Sequence, residues 1–168
     1  MEVLNPLYKN QGVHVISNIF TVDKGITKVL LIKRTNEPHK GMWALPGGAL
    51  YNNEDLIEGV KRELKEKTGL EIIELSLCNV FGDVNRSKLM RMVGISYLGV
   101  IDSNKVHLLK ETLKTSDAEF VPIDSIPDLA YDHNEIVNDA LEKLKEVIFN
   151  SSILKSLYPD TFTMPEIQ

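Results

Sequence analysis

Apolar residues in the first fifth of the chain fall into two blocks of strand length, GVHVISNIFTV (Gly12 to Val22) and TKVLLIKR (Thr27 to Arg34), both rich in β-branched side chains. They meet at DKG, where Gly25 accepts a positive φ, and so predict a β-hairpin. A polar loop, TNEPHKGM, leads to the short run WALP and then to Gly47 and Gly48, which are read as opening into a helix. There the apolar period changes: Leu56, Val60 and Leu64 recur every four residues, as a buried helical stripe does. Asn53 is the expected N-cap, with Glu54 and Asp55 in the first turn where the helix dipole favours carboxylates, and Gly69 is the expected C′ residue.

Farther on, LEIIELSLCNVFGD and LMRMVGISYLGVI predict strands bracketing a turn at VNRSK, and AEFVPIDSI predicts another strand ending at a proline-marked corner. The stretch DHNE then places Asp132 at an N-cap and Glu135 at N3, with Ile136, Ala140, Leu141 and Leu144 as the apolar stripe of a second helix. Strands, helix, strands, helix predict an α/β (α+β) sandwich. At 168 residues the chain suits one domain, placed at 1–150, followed by a tail at 151–168.

Charge and composition narrow the function. The net charge is -5 and the lysines are dispersed among acids, so DNA binding by this segment alone is not expected. Cys78 is the only cysteine, which rules out an intramolecular disulfide and fits a reducing, cytoplasmic setting. No segment approaches the roughly 20 apolar residues that span a bilayer, so no membrane partner is predicted. His14, His39, His107 and His133 are not spaced as metal ligands, and there is no G-x-S-x-G or full P-loop.

The first helix carries the chemistry. Glu63, Glu66 and Lys67 lie at i, i+3 and i+4 and share one face. Carboxylates on one helix face beside a glycine turn suit a hard, oxygen-seeking cation such as Mg²⁺, and hence phosphate chemistry; a solvated face with intrahelical ion pairs is the plain alternative. The spacing is more specific than that. Gly48, Glu54 and RELKEKTGL (Arg62 to Leu70) resemble the Nudix box, G-x5-E-x7-R-E-U-x-E-E-x-G-U, at eight of its nine specified positions. The resemblance implies a Nudix fold, an α/β/α sandwich with a mixed sheet, acting on a nucleoside diphosphate joined to another group. Carried over residue by residue, it makes Glu63 and Glu66 the metal-binding and catalytic carboxylates, assisted by a carbonyl near Gly47 or Gly48. It makes Glu54, Arg62 and Gly69 the structural part of the box.

The ninth position departs from the pattern: Lys67 stands where the box has a glutamate. A unit repulsion at about 4 Å and an effective dielectric near 20 is about 4 kcal/mol, and it is larger for a divalent ion, so Lys67 opposes Mg²⁺ and efficient hydrolysis. The same ammonium can instead hold a diphosphate directly. The tail SSILKSLYPDTFTMPEIQ resembles the segment that leads from the Nudix-like ligand-sensing domain of bacterial transcription regulators of NAD and sugar metabolism into a winged helix. That resemblance implies a sensor of ADP-ribose or a related nucleotide, and a homodimer.

Beyond the box, a pocket for such a ligand needs cations for phosphate and an aromatic wall for a base. Arg34, Trp43, Phe81 and Arg86 are the candidates, against plainer roles: a strand-end charge for Arg34, core packing for Trp43 and Phe81, an Arg86–Asp83 pair. Three readings follow: a ligand sensor with weak or no hydrolysis, a Mg²⁺-dependent Nudix hydrolase cleaving the diphosphate, and an interaction module that binds no nucleotide.

Overall fold

The computed structural model describes residue 7, residues 10–72 and residues 74–148, the last two of these by backbone alone. The expected tail at 151–168 lies outside the described residues. The elements in chain order are strands β1 (Gly12–Asp23), β2 (Ile26–Arg34), β3 (Trp43–Ala44) and β4 (Gly47–Ala49), helix α1 (Leu56–Thr68), strands β5 (Ser76–Phe81), β6 (Met92–Val100) and β7 (Thr115–Pro122), and helix α2 (His133–Ile148).

The hairpin is as the sequence predicts. Asp23 pairs with Ile26, leaving Lys24 and Gly25 as a two-residue loop with φ of 51° and 77°. Positive φ at both loop positions matches the twist of the flanking strands. The strands build a seven-stranded sheet with the path β3-β2-β1-β6-β5, to which β4 adds on β1 and β7 on β2. It is mixed: β1 and β6 are parallel over Gly12 to Phe20, while the other pairings are antiparallel.

Alternation along β1 sorts the two helices onto opposite faces. Val15 packs with Val60 of α1, and Ile19 with Leu64, whereas Ile16 and Phe20 pack with Ile136, Val137, Ala140 and Leu144 of α2. The result is the expected α/β/α sandwich around a mixed sheet, with β1 buried at its centre.

Two local readings are corrected. Gly47 and Gly48 belong to a strand, because their backbone pairs with Ile16 and Val15 of β1 before the chain turns away. Helix α1 starts later than expected: Asp55, not Asn53, is its N-cap, in a reciprocal capping box with Glu58. Glu54 is thereby left outside the helix and free to bond sideways. At the other end Gly69 adopts φ 76° and its N–H donates to the Lys65 carbonyl, the expected left-handed stop.

Candidate functional site

The site grows from the contact between α1 and β4. Gly48 has no side chain, and a Cβ there would lie 2.3–2.5 Å from the carboxylate atoms of Glu63. The bare strand therefore lets the Glu63 carboxylate lie directly against the sheet, where only 3% of the residue is exposed. A buried carboxylate needs positive partners to stay charged, and Glu63 has three. Arg62 Nη1 is 2.6 Å from Oε1, Lys67 Nζ is 3.4 Å from Oε2, and Lys114 Nζ is 3.7 Å from Oε1. Burial alone would push the Glu63 carboxyl up, but Lys67, Arg62 and Lys114 together hold it below the ordinary carboxylate range.

Arg62 organises the loop as well as the helix. Its Nε and Nη2 donate to the two oxygens of Glu54 at 2.7 and 2.6 Å, and Nη2 also reaches the Ala49 carbonyl at 3.0 Å. Its guanidinium lies 3.7 Å from the centre of the Tyr51 ring. Glu54 in turn accepts from the Tyr51 N–H at 2.8 Å, so one ion pair ties the 49–54 turn to the middle of α1. These hydrogen bonds, chiefly from Arg62, hold the Glu54 carboxyl at about 2. The stabilisation is therefore complete above the unfolded value of 4.5 and is lost as the pH falls through about 2. Glu54→Gln is expected to shrink the stability difference between about pH 5 and pH 3 in urea denaturation, and an unchanged difference would refute this role.

Lys67 is only 9% exposed. Its ammonium donates to the Gly47 carbonyl and faces Glu63 Oε2. The sequence suggests a simple i to i+4 ion pair. The fold adds the carbonyl of a strand twenty residues away, so Lys67 sits between a backbone oxygen and a carboxylate oxygen. Burial pulls its pKa down while Glu63 opposes that shift. Glu66 is more open, and its Oε2 pairs with Lys114 Nζ at 2.6 Å and Arg62 Nη1 at 3.6 Å.

The donor set does not fit a divalent metal ion. Gly47, Glu63 and Glu66 supply suitable oxygens, but each faces an ammonium or guanidinium, and no group of three or more His, Cys, Asp or Glu among the described residues could hold an ion. A Mg²⁺ ion would have to displace Lys67 and Lys114 from their oxygens.

A second cluster faces α2. Arg86 leaves the β5–β6 loop and its guanidinium lies over Gly94, where a Cβ would come within 2.7 Å of Nη2. Its Nε and Nη2 donate to both oxygens of Asp132 at 2.8 and 3.0 Å, so the partner is Asp132 rather than Asp83. Asp83 instead receives the Arg86 backbone N–H at its carbonyl. Gly94 pairs with His14 of β1, and His14 pairs on its other side with Ala49 of β4. His14 therefore links the two clusters: burial, then Arg86 and Lys67, push its pKa below the ordinary imidazole value. His133, the first residue of α2, accepts the Leu45 N–H at 3.0 Å through Nδ1 and so ties α2 to the β3–β4 turn.

The remaining candidates separate. Arg34 donates to the carbonyls of Pro38 and Asn36 and lies 5.0 Å from the centre of the Tyr131 ring, so it braces the 35–42 loop beside that aromatic. Tyr131 holds φ 57°, an uncommon conformation for a bulky residue, and packs edge-on against His39. Trp43 is half-buried against the α2-side core, as is Phe81. Phe81 also lines a cleft of about 290 Å³ together with Asp83, Asp132, Glu135 and Asp139. Four carboxylates make that cleft a poor seat for a phosphate: Arg86 at its edge is bound to Asp132, and Lys67, Lys114 and Arg34 are not among its lining residues. Sequence reasoning missed Lys114 and His14, and no motif marks either: Lys114 meets Glu66 across 48 positions of chain.

The arrangement of Gly48, Glu54, Arg62, Glu63 and Gly69 agrees with a comparison in which the NUDIX domain profile matches residues 12–141. The chain belongs to the NUDIX domain family. Among relatives, this NUDIX chain is 31% identical over 154 residues to the ADPR responsive transcriptional repressor NtrR of Acinetobacter baylyi, covering 89% of this chain and 61% of that protein. It is 40% identical over 113 residues to the ADP-ribose pyrophosphatase of Methanocaldococcus jannaschii, covering 67% and 64%. The NUDIX domain of Shewanella oneidensis NrtR complexed with ADP ribose superposes with a TM-score of 0.76 at 28% identity, covering 83% of this chain and 93% of that one. The chain thus spans a little over three fifths of the length of these two curated relatives. No helix among the described residues is long and apolar enough to cross a membrane.

Proposed function

We propose that this NUDIX domain binds a nucleoside diphosphate joined to another group, with ADP-ribose as the first candidate, and acts as the ligand sensor of a transcription regulator with weak or no hydrolysis. The observation that carries this reading is the Lys67 ammonium lodged between the Gly47 carbonyl and Glu63, at the oxygens a metal ion would need. Lys114 on Glu66 strengthens it, because it engages the second carboxylate as well. Arg34 and Arg86 add guanidinium groups suited to phosphate oxygens, while Tyr131 and His39 offer aromatic surface beside Arg34. Two relatives support the ligand: one is called ADPR responsive and one was solved with ADP ribose. DNA binding is assigned to a region outside this segment, and the active species is proposed to be a homodimer in the cytoplasm.

A second reading has its own support. Glu54, Arg62, Glu63 and Glu66 keep their places, and a relative at 40% identity is an ADP-ribose pyrophosphatase. Under that reading Glu63 and Glu66 would hold Mg²⁺ in place of the lysines, and the ion would supply charge neutralisation and an activated water for cleavage of the diphosphate to AMP. Calorimetric titration of ADP-ribose with and without Mg²⁺, followed by chromatography of the same samples, separates the two. The sensor reading expects binding indifferent to Mg²⁺ and intact ligand; Mg²⁺-dependent release of AMP establishes the hydrolase instead.

A further inference from the structure

Glu63 is the hub of the site, and its two oxygens are treated differently. Oε1 takes a hydrogen bond from Arg62 at 2.6 Å, with Lys114 Nζ 3.7 Å away on the side toward Glu66. Oε2 is buried and accepts no hydrogen bond. What faces it is the Lys67 ammonium at 3.4 Å, turned toward the Gly47 carbonyl, so this contact is chiefly an ion pair. A buried carboxylate oxygen left in this state is uncommon, because its desolvation is normally matched by a donor. An ion needs no directed donor to neutralise it, and that is the role Lys67 performs.

The two ammonium groups therefore occupy two separate cation positions. One lies between the Gly47 carbonyl and Glu63 Oε2, and is filled by Lys67. The other lies between Glu63 Oε1 and Glu66 Oε2, where Lys114 sits closest to Glu66 and Arg62 Nη1 closest to Glu63. They come from unrelated parts of the fold, one from α1 and one from the residue before β7. Three contacts hold the second approach in place: Thr115 Oγ1 donates to the Lys67 carbonyl at 2.9 Å, Thr112 and Thr115 hydroxyls lie 2.8 Å apart, and the Leu109 N–H donates to the Thr68 carbonyl at 2.9 Å. Two lysines on converging supports, each between two oxygens, make a preformed dication in the protein itself.

We infer that Lys67 and Lys114 are built-in substitutes for divalent cations at the oxygens of Gly47, Glu63 and Glu66, and that with Arg62 they keep those oxygens closed to metal. The inference extends the sensor reading by explaining how a diphosphate could be held without added metal, but its test needs no nucleotide.

The experiment is a Mn²⁺ titration of the full chain, followed by the paramagnetic resonance signal of free Mn²⁺. Wild type is expected to show no saturable binding at Glu63. Lys67→Glu, which exchanges the ammonium for a third carboxylate, is expected to tighten Mn²⁺ binding at least about tenfold, and adding Glu63→Gln to erase the gain. Thermal melts establish that each variant is folded. Should Lys67→Glu not fold, the double variant Lys67→Gln, Lys114→Gln serves, since glutamine keeps a donor for the Gly47 carbonyl while removing both charges; the same gain over wild type is expected. Equal Mn²⁺ affinity in wild type and variants, or a gain that survives Glu63→Gln, overturns the inference. If the gain appears but wild type fails to bind ADP-ribose, the sensor reading falls and the cation substitution stands.

Discussion

Acidification from pH 6.5 to about 3 is expected to destabilise the fold by up to about 1.4 kcal/mol per pH unit through His133 alone, and His133→Gln to remove that slope. Burial, with Arg86, Arg34, Lys67 and His14 adding repulsion, holds the His133 imidazole down at about 3. The sign follows from proton counting. Between 6.5 and about 3 the unfolded chain carries a proton on this residue and the folded chain does not, so acid favours unfolding throughout that window and ceases to do so below it. The neutral ring is needed in the fold because Nδ1 accepts the Leu45 N–H. Glutamine can accept the same bond through its amide oxygen without titrating. Urea unfolding of both proteins at several pH values checks this; parallel pH profiles would sink it. Because Leu45 precedes the strand that carries Gly47, acid should also loosen the loop that holds the Lys67 carbonyl partner.

Neighbouring glycines are expected to fail in different ways. Gly47→Ala should cost about 3 kcal/mol, since its Cβ would meet the Val15 carbonyl at 2.5 Å and the Ile16 Cα at 3.0 Å. Both obstacles are backbone of the central strand, and neither can move without breaking the β1–β4 pairing. Gly48→Ala meets first the carboxylate of Glu63 at 2.3–2.5 Å. A side chain can swing aside where a strand cannot, so the fold should survive with a smaller loss, about 1–2 kcal/mol. The site should not: displacing Glu63 breaks its ion pairs with Arg62, Lys67 and Lys114 together. Thermal melts and ADP-ribose titration of the two variants provide the comparison. A Gly48→Ala protein with wild-type affinity would show that the seat of Glu63 is irrelevant to the ligand.

Much of this architecture is legible in the chain. The hairpin at Lys24 and Gly25, the helical stripe of Val60 and Leu64, the stop at Gly69 and the stripe of Ile136, Ala140 and Leu144 all follow from local periodicity and turn chemistry, and the fold realises each of them. The boundary of α1 was less legible. Asn53, Glu54 and Asp55 are all competent near a helix start, and Glu58 decides in favour of Asp55 by closing a capping box, which frees Glu54 for Arg62. The pairing of Arg86 was open for a similar reason: Asp83 is near in sequence, but the return of α2 brings Asp132 to the guanidinium from 46 positions away.

By itself, then, the sequence determined the family through the spacing of Gly48, Glu54, Arg62, Glu63, Glu66 and Gly69, because those residues follow one another on a short strand, the turn after it and one helix. It also marked Lys67 as the departure from the box, since a change of charge is visible without coordinates. Only the tertiary structure decided what that lysine does. The Gly47 carbonyl, Lys114 and His14 reach the site from β4, from the start of β7 and from the central strand, and their convergence depends on how the sheet is ordered. Periodicity reports which face of an element is buried; it carries no record of which distant charge arrives to neutralise a buried carboxylate.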